Sequence, residues 1–149
     1  GPPTLASYPG EDAEPSAWQL STSDPYGGAG SCLRLHGNTW KTQSLGPYAV
    51  ADSTVWQVAI YCENLGEMQA LGIGDGTNEL FYTFYGEDLP TATNWFTVYQ
   101  GAYDRQEWRL FLLPLAAGDA QQVALCLGDT EAASDLARLA AGSRFDNSR

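Results

Sequence analysis

The chain is composed of short segments in which apolar and polar residues alternate, separated by clusters of Gly, Asn, Asp and Pro. In the clearest segment, residues 54–63, one face of the strand carries only apolar side chains: Trp56, Val58, Ile60 and Cys62. Such alternation indicates a half-buried β-strand, and strands spaced roughly ten residues apart are typical of antiparallel sandwiches. The strands do not alternate with long helical patterns, as they would in a parallel α/β protein. We therefore predict an all-β fold, an antiparallel β-sandwich.

Other strand-like segments account for most of the remaining chain. They are residues 17–21, 32–35, 39–44, 68–73, 80–85, 95–99, 107–113, 123–127 and 143–146. Helical signal is confined to residues 131–141, which are rich in Ala and Leu and end at Gly142, a residue typical of helix C-caps. This segment is either one short helix near the C-terminus or a long loop between the last two strands.

The length predicts a single domain, residues 1–149, because a chain of this size buries roughly 70% of its unfolded surface without a disulfide or metal. Residues 1–15 are interpreted as an extended N-terminal segment or as a remnant of an expression vector. Cys32, Cys62 and Cys126 all lie in apolar strand contexts. We interpret them as buried thiols, with one disulfide between neighbouring strands as the alternative.

The charge of the chain excludes several partners. Eighteen acidic residues against seven basic ones give a net charge of −11. Surfaces that bind nucleic acids or anionic membranes need clustered Lys and Arg, whereas the basic residues are scattered here. No apolar run approaches the roughly 20 residues of a membrane span. We therefore expect no nucleic-acid partner, no membrane insertion, and a soluble secreted protein, extracellular or periplasmic.

Aromatic residues are more numerous than the core of such a domain requires. The chain holds five Trp, eight Tyr and five Phe. Trp56 and Trp108 share faces with aliphatic residues and are assigned to the core. The surplus predicts a stacking surface, and sugar rings, which pack their C–H faces on Trp and Tyr, are common ligands of such surfaces. The sequence therefore predicts carbohydrate binding.

The densest aromatic region supplies the first candidate residues. Alternation places Trp95 and Tyr99 on one strand face and Phe96 and Val98 on the other. The purely apolar pair suits the core better, so we expect Trp95 and Tyr99 to face outward. The full set of predicted carbohydrate-binding residues is Trp95, Tyr99, Tyr82, Trp40, Asn94, Gln100 and Arg105. For each ring the alternative is a place in the core.

Three motifs resemble one family. They are Gly-Ser-Cys-Leu-Arg-Leu at residues 30–35, Glu-Trp-Arg-Leu-Phe-Leu-Leu-Pro at 107–114 and Phe-Asp-Asn at 145–147. Their order resembles that of the jelly-roll carbohydrate-binding modules of secreted polysaccharide-degrading enzymes, within the galactose-binding-domain-like group. The resemblance implies that the sandwich is a jelly roll and that the chain is part of a larger multidomain protein.

The same resemblance implies a structural calcium ion. In the family this ion often joins an early acidic residue to the Asp of the closing strand, which corresponds to Asp146, with Glu11 or Asp12 as the early ligand. Calcium takes six to eight oxygen ligands, which carboxylates and loop carbonyls supply. A turn-forming or solvated acid is the alternative for Asp146. No other cofactor is expected.

Three functions are compatible with this fold. The first is a non-catalytic carbohydrate-binding module for a poly- or oligosaccharide. The second is a structural or protein-interaction sandwich of a larger secreted protein, whose exposed aromatics would form a flat apolar patch. The third, a jelly-roll polysaccharide lyase or hydrolase, needs carboxylates facing each other across a cleft, and no catalytic cluster is recognisable in the sequence. We therefore predict the binding module and no enzyme.

Overall fold

The computed structural model is built almost entirely from β-strands. It describes residues 5–14, 16, 18–23, 25–51, 54–64, 68–75, 77–86, 90–101, 106–115, 118–127, 136–140 and 144–146. The side chains of residues 45–50, 100, 101, 114, 118–127, 136–140 and 144–146 lie outside this description. The strands are β1 (Ala6–Ser7), β2 (Trp18–Ser21), β3 (Cys32–His36), β4 (Thr39–Val50), β5 (Val55–Asn64), β6 (Gln69–Gly74), β7 (Glu79–Tyr85), β8 (Trp95–Gly101), β9 (Trp108–Pro114), β10 (Gly118–Leu127), β11 (Leu136–Ala140) and β12 (Arg144–Asp146). A 3-10 turn spans Tyr26–Gly28, and the described chain contains no helix long and apolar enough to cross a membrane.

The strands form two six-stranded sheets. Sheet A has the order β1-β4-β10-β6-β7-β8. In sheet B, β2, β3, β11 and β5 follow one another, and β9 and β12 also pair with β5. Since β9 follows one edge of β5, β11 and β12 share the other edge at different positions. The described pairs are antiparallel except β7 with β8, so the predicted all-β jelly-roll sandwich is confirmed.

The main core lies between the two sheets. Trp56, Val58 and Ile60 of β5 point into it, as their alternation predicts. Phe84 of β7 is fully buried, and its ring centroid lies 4.6 Å from that of Phe111 on β9. This ring contact joins sheet A directly to sheet B, and burial of such apolar surface is the main term that favours folding.

Two of the three cysteines agree with the sequence interpretation. Cys32 of β3 and Cys62 of β5 are buried thiols. Both lie on strands that pair with β11, and they are fully shielded from water. The side chain of Cys126 is outside the described residues. Cys32 and Cys62 therefore contribute as small apolar side chains.

The segment near the C-terminus differs from both predicted alternatives. Leu136–Ala140 forms β11, which pairs with β3 on one side and with β5 on the other. It is therefore neither a short helix nor a loop. Ala and Leu favour helices in isolation, but pairing along both edges satisfies the backbone of a central strand and overrides that weak preference. Residues 131–135 and 141 lie outside the described residues.

β8 is one of the two edge strands of sheet A, and the exposure of its side chains differs from the prediction. Phe96 and Val98 are 48% and 39% exposed, whereas Trp95 and Tyr99 are half-buried. The assignment of Phe96 and Val98 to the core is therefore wrong. An edge strand has a neighbour on one side only, so apolar side chains that would be covered in a central strand remain partly in water here.

Trp108 lies outside the main core, contrary to its predicted assignment. It is half-buried on the outer face of sheet B, where its ring centroid lies 5.7 Å from that of Tyr26 and 5.6 Å from that of Tyr61. Alternation along β9 turns Phe111 towards the core, so its neighbours point away from it. The outward side chains of β9 are Trp108, Leu110 and Leu112.

Candidate functional site

Sheet A carries a second apolar cluster on the face that points away from sheet B. Tyr82 of β7 belongs to the main core and meets Trp56 of sheet B. Its neighbours Phe81 and Thr83 therefore point the opposite way, and Phe81 pairs in register with Trp95 of β8. We call this surface the open face. Its clustered apolar residues are Tyr8, Trp40, Met68, Ala70, Phe81 and Trp95.

The open face is concave. Trp40 belongs to β4 and Trp95 to β8, with β10, β6 and β7 between them. Four strand spacings amount to about 19 Å, yet the two ring centroids are 6.2 Å apart. Two Trp side chains do not close that distance on a flat sheet, so sheet A curves towards this face. Ala70 and Gly72 of β6 are small enough to let the rings approach over the middle of the sheet.

The rings of the open face have defined mutual geometry. Phe81 and Trp95 are stacked, with centroids 4.3 Å apart and planes inclined by 11°. Trp40 meets both edge-on, at 6.4 Å from Phe81 and 6.2 Å from Trp95. Offset stacking and edge contacts are the favoured arrangements of aromatic pairs, so the three rings hold one another in place.

The indole nitrogen of Trp40 is a buried donor without an acceptor among the described residues. A buried N–H that loses water without gaining a partner lowers stability by roughly 1–3 kcal/mol. Buried donors without an acceptor are rare in folded proteins, and they are often found where a ligand or an ion binds. On a concave aromatic surface, a ligand hydroxyl is a suitable acceptor for this N–H.

Polar groups lie beside the rings. Thr97 of β8 is exposed, and its hydroxyl lies 3.4 Å from that of Thr83. The carboxylate of Glu79, at the start of β7, accepts a hydrogen bond from the Tyr8 hydroxyl at 2.6 Å. The open face thus combines aromatic rings with hydroxyl and carboxylate groups, the chemistry that a polyhydroxylated ring binds.

Trp95 and Trp40 both lie on this face, but they differ in access. Trp95 is half-buried, with one ring face against Phe81. Trp40 is only 7% exposed, because Tyr8 and Trp95 pack against it. Trp95 can therefore contact a ligand without a rearrangement of the protein. Trp40, which was also predicted to bind carbohydrate, is buried and cannot do so in this conformation.

The structure places Tyr82 and Tyr99 away from the open face. Tyr82 is buried in the main core, and that burial raises the pKa of its hydroxyl. Tyr99 packs against Tyr85 and Phe111 at the edge between the sheets, with the Arg109 guanidinium 4.7 Å from its ring centroid. The expectation that these two rings share one stacking surface with Trp95 is therefore corrected, because both serve packing between the sheets.

The three predicted polar partners have different outcomes. The side-chain amide of Asn94 donates to the Glu79 carbonyl at 3.1 Å, and the Asn94 carbonyl accepts from the Phe81 N–H at 2.9 Å. Asn94 therefore fixes the start of β8 beside β7. The side chain of Gln100 and the whole of Arg105 lie outside the described residues.

The carboxylate of Asp12 is occupied by donors of the protein itself. It forms a buried ion pair with Lys41 and accepts hydrogen bonds from the Ser7 hydroxyl and, at 3.1 Å, from the backbone N–H of Trp40. Burial alone would raise the pKa of Asp12, but the Lys41 ammonium and the other donors outweigh it and lower the pKa below its ordinary value. Asp12 therefore anchors the N-terminal segment to β4.

This pairing does not suit the predicted calcium site. Lys41 and Ser7 bind one oxygen of Asp12 and the Trp40 backbone N–H binds the other, so a cation at this carboxylate would have to displace donors of the protein. Glu11 is exposed, and the described residues contain no group of three or more metal-binding side chains. Asp146 pairs through its backbone with Val55, and its side chain lies outside the description. Calcium binding at Asp146, with Glu11 or Asp12 as the early ligand, stays a prediction.

Sequence reasoning missed three residues of the open face. Phe81 lies in the densest aromatic segment, but alternation alone did not show which side of β7 it occupies. Glu79 resembles an ordinary turn-flanking acid. Tyr8 precedes the strand pattern altogether, so nothing in its local sequence reveals that it reaches residues more than seventy positions away.

The protein is similar to known proteins in its three-dimensional structure but not in its sequence. No family model matches the chain, and no curated protein matches it in sequence. Among solved structures it is similar to a family 30 carbohydrate-binding module, with a TM-score of 0.52 and 12% identity over 97% of this chain and 82% of that one. It is likewise similar to the family 30 module of a cellulosomal cellulase of Clostridium thermocellum, with a TM-score of 0.50 and 12% identity over 97% and 90% of the two chains. At this identity the likeness concerns the backbone, and the chain has the jelly-roll fold of carbohydrate-binding modules, as the three sequence motifs predicted.

Proposed function

We propose that the protein is a non-catalytic carbohydrate-binding module and that its binding site is the open face of sheet A. The observation that carries the proposal is the half-buried Trp95 ring on the concave open face. It stacks on Phe81 of the neighbouring strand, and Thr97 and Glu79 lie beside the pair. The fold shared with solved carbohydrate-binding modules supports it. The chain acts extracellularly, as one part of a larger secreted protein.

The chemistry of the face favours an uncharged glycan. The C–H face of a pyranose packs on the free side of Trp95, and its hydroxyls bond to Thr97 and Glu79. A uronate or sulfated sugar would bring negative charge towards the Glu79 carboxylate, on a chain with a net charge of −11. The proposed ligand class is therefore a neutral poly- or oligosaccharide.

An enzymatic role is less well supported. Glycoside hydrolysis needs an acid and a second carboxylate on opposite sides of the sugar. Of the described acids near the open face, Asp12 is held by Lys41, and Glu79 is bonded to Tyr8. Asp12 is not poised as a general acid, because its ion pair with Lys41 and its other donors lower its pKa.

One observation favours a second candidate function. Leu110 and Leu112 of β9 are 50% and 58% exposed, and they lie next to Trp108 on the outer face of sheet B. Contiguous exposed apolar side chains are typical of protein interaction surfaces. A protein-interaction domain is therefore the alternative, and it predicts no affinity for glycans.

The experiment is affinity electrophoresis against soluble neutral and acidic polysaccharides, with Trp95→Ala as the test variant. We expect a neutral polysaccharide to retard the wild-type protein. Trp95→Ala should weaken binding by about 30-fold, the effect of losing one central aromatic contact of about 2 kcal/mol.

Trp108→Ala is the matched control, because it removes the same side chain from the outer face of sheet B. It should retain wild-type retardation. Retardation lost equally in both variants would place the site elsewhere or indicate unfolding, which circular dichroism detects. No retardation by any polysaccharide would refute the binding module and favour the interaction domain.

A further inference from the structure

Tyr8 lies across the open face although it comes from a segment outside its central strands. It follows β1 directly, and its backbone N–H donates to the Trp40 carbonyl at 2.9 Å. Its ring centroid is 5.5 Å from that of Trp40 and 6.5 Å from that of Phe81. Trp40 and Phe81 belong to β4 and β7, which are separated in sheet A by β10 and β6. The Tyr8 ring therefore lies over the open face between side chains from β4 and β7.

The contacts of Tyr8 are those that a sugar ring would make in the same place. Its ring packs on Trp40, and its hydroxyl donates to Glu79 Oε1 at 2.6 Å. A pyranose offers the same combination of a C–H face for an aromatic ring and a hydroxyl for a carboxylate. It also offers what Tyr8 does not provide, a further oxygen to accept the buried N–H of Trp40.

The backbone that carries Tyr8 is fixed on both sides of it. Before Tyr8, β1 pairs with β4. After it, the Asp12 carboxylate is bound by Lys41, and the Glu14 N–H donates to the Asn38 carbonyl at 3.1 Å. The Tyr8 side chain can therefore leave the open face by changing its rotamer while the segment stays in place.

Resting on the proposed function, we infer that Tyr8 is an internal competitor of the glycan, whose ring fills a sugar subsite bounded by Trp40, Phe81 and Glu79 and turns out when a ligand binds. Ring and ligand cannot occupy this place together. The apparent affinity is then the intrinsic affinity reduced by the fraction of molecules in which Tyr8 is already displaced. If that fraction is about one tenth, removal of the ring tightens binding about tenfold.

The experiment measures two quantities separately, the exposure of the subsite to water and the affinity for the polysaccharide. Hydrogen exchange of the Trp40 indole N–H, assigned by NMR with Trp40→Phe, reports exposure of the subsite without any ligand. Tyr8→Ala should speed this exchange about tenfold and tighten binding of the retarding polysaccharide about tenfold. Tyr8→Phe keeps the ring and loses only the hydroxyl, so it should change both quantities about threefold in the same directions. Tyr26→Ala, on the other side of the sandwich, is the matched control and should change neither.

The possible results distinguish a failure of the inference about Tyr8 from a failure of the proposed function. Unchanged exchange in Tyr8→Ala, or weaker glycan binding in that variant, would overturn the inference, because Tyr8 would then be a spectator or part of the binding surface. Faster exchange with no glycan retardation in any variant would refute the proposed function but establish Tyr8 as a removable cover of Trp40. If Tyr8→Ala does not fold, Tyr8→Phe decides on the same two measurements.

Discussion

Replacing Phe84 by Ala should lower the free energy of unfolding by about 3–5 kcal/mol, the usual cost of deleting a fully buried aromatic ring. The Phe84 side chain has no solvent exposure, and its ring centroid lies 4.6 Å from that of Phe111 across the two sheets. Its removal leaves a cavity at the point where sheet A and sheet B meet, and β-strands cannot close such a gap without breaking their ladders. Urea unfolding followed by circular dichroism measures the change.

The matched control for this prediction is Phe96→Ala on the neighbouring strand. Phe96 is 48% exposed, so its truncation should change the free energy of unfolding by less than about 1 kcal/mol. The denaturant dependence of that free energy should stay the same in both variants, because both unfold from the same compact state. Equal losses in the two variants would show that the packing between the sheets is not where the structure places it.

The strands β5 and β8 show what the alternation of residues along a strand does and does not reveal about the core. In β5 the bulky apolar residues Trp56, Val58 and Ile60 share one face, and the prediction of the core was correct there. In β8 both faces carry aromatic or β-branched residues. Period two then tells which side chains share a face but not how well each face is covered. Trp95 points away from sheet B, as predicted, yet it is half-buried, whereas Phe96 on the opposite side is 48% exposed. Only the position of β8 at the edge of sheet A decides this coverage.

β11 shows a second limit. Leu136–Ala140 has a composition that favours a helix, and its strand conformation comes from pairing with β3 and β5, which are more than seventy positions away in the chain. Sequence reasoning that works from neighbours cannot see such a pairing. The three family-like motifs succeeded for the opposite reason, because each is a local pattern within one or two strands.

The candidate site was predictable only in part. Trp95 could be selected from the aromatic density of its segment, and it lies on the open face. The site as a whole depends on curvature, which brings Trp40 of β4 to within 6.2 Å of Trp95 of β8. It depends also on Tyr8, which enters from outside the strand pattern. Neither the curvature of a sheet nor a contact across it is encoded in the spacing of residues along one strand.

Removing one member of the buried ion pair between Asp12 and Lys41 should be as damaging as the loss of Phe84. Both side chains are almost fully buried, at 1% and 3% exposed. Asp12→Asn leaves a buried ammonium without its counter-charge, which typically lowers the free energy of unfolding by about 3–5 kcal/mol. The pair connects the N-terminal segment to β4, so the loss should also speed exchange of the Trp40 indole N–H.

The pair predicts a specific dependence of stability on pH. The folded-state pKa of Asp12 is lowered from its ordinary value of 3.8. A carboxylate with a lowered pKa contributes stability that is fully present above pH values near its ordinary pKa and is lost as the pH falls through the folded-state value. The wild-type protein should therefore lose this contribution below about pH 4, and Asp12→Asn should lack that part of the acid-induced loss.

Glu107→Gln provides the control for the Asp12 variant, since it makes the same change of acid to amide in an ion pair that is exposed. Glu107 lies 3.5 Å from Arg109, with side-chain exposures of 58% and 37%. Exposed pairs contribute roughly 0–1 kcal/mol, so this variant should resemble wild type. If Asp12→Asn were equally mild, the Lys41 ammonium would have found water or another acceptor, and the N-terminal segment would not depend on this pair. A large loss confined to Asp12→Asn, together with faster exchange of the Trp40 indole N–H in that variant, would instead show that one buried charge contact helps to hold Tyr8 over the open face.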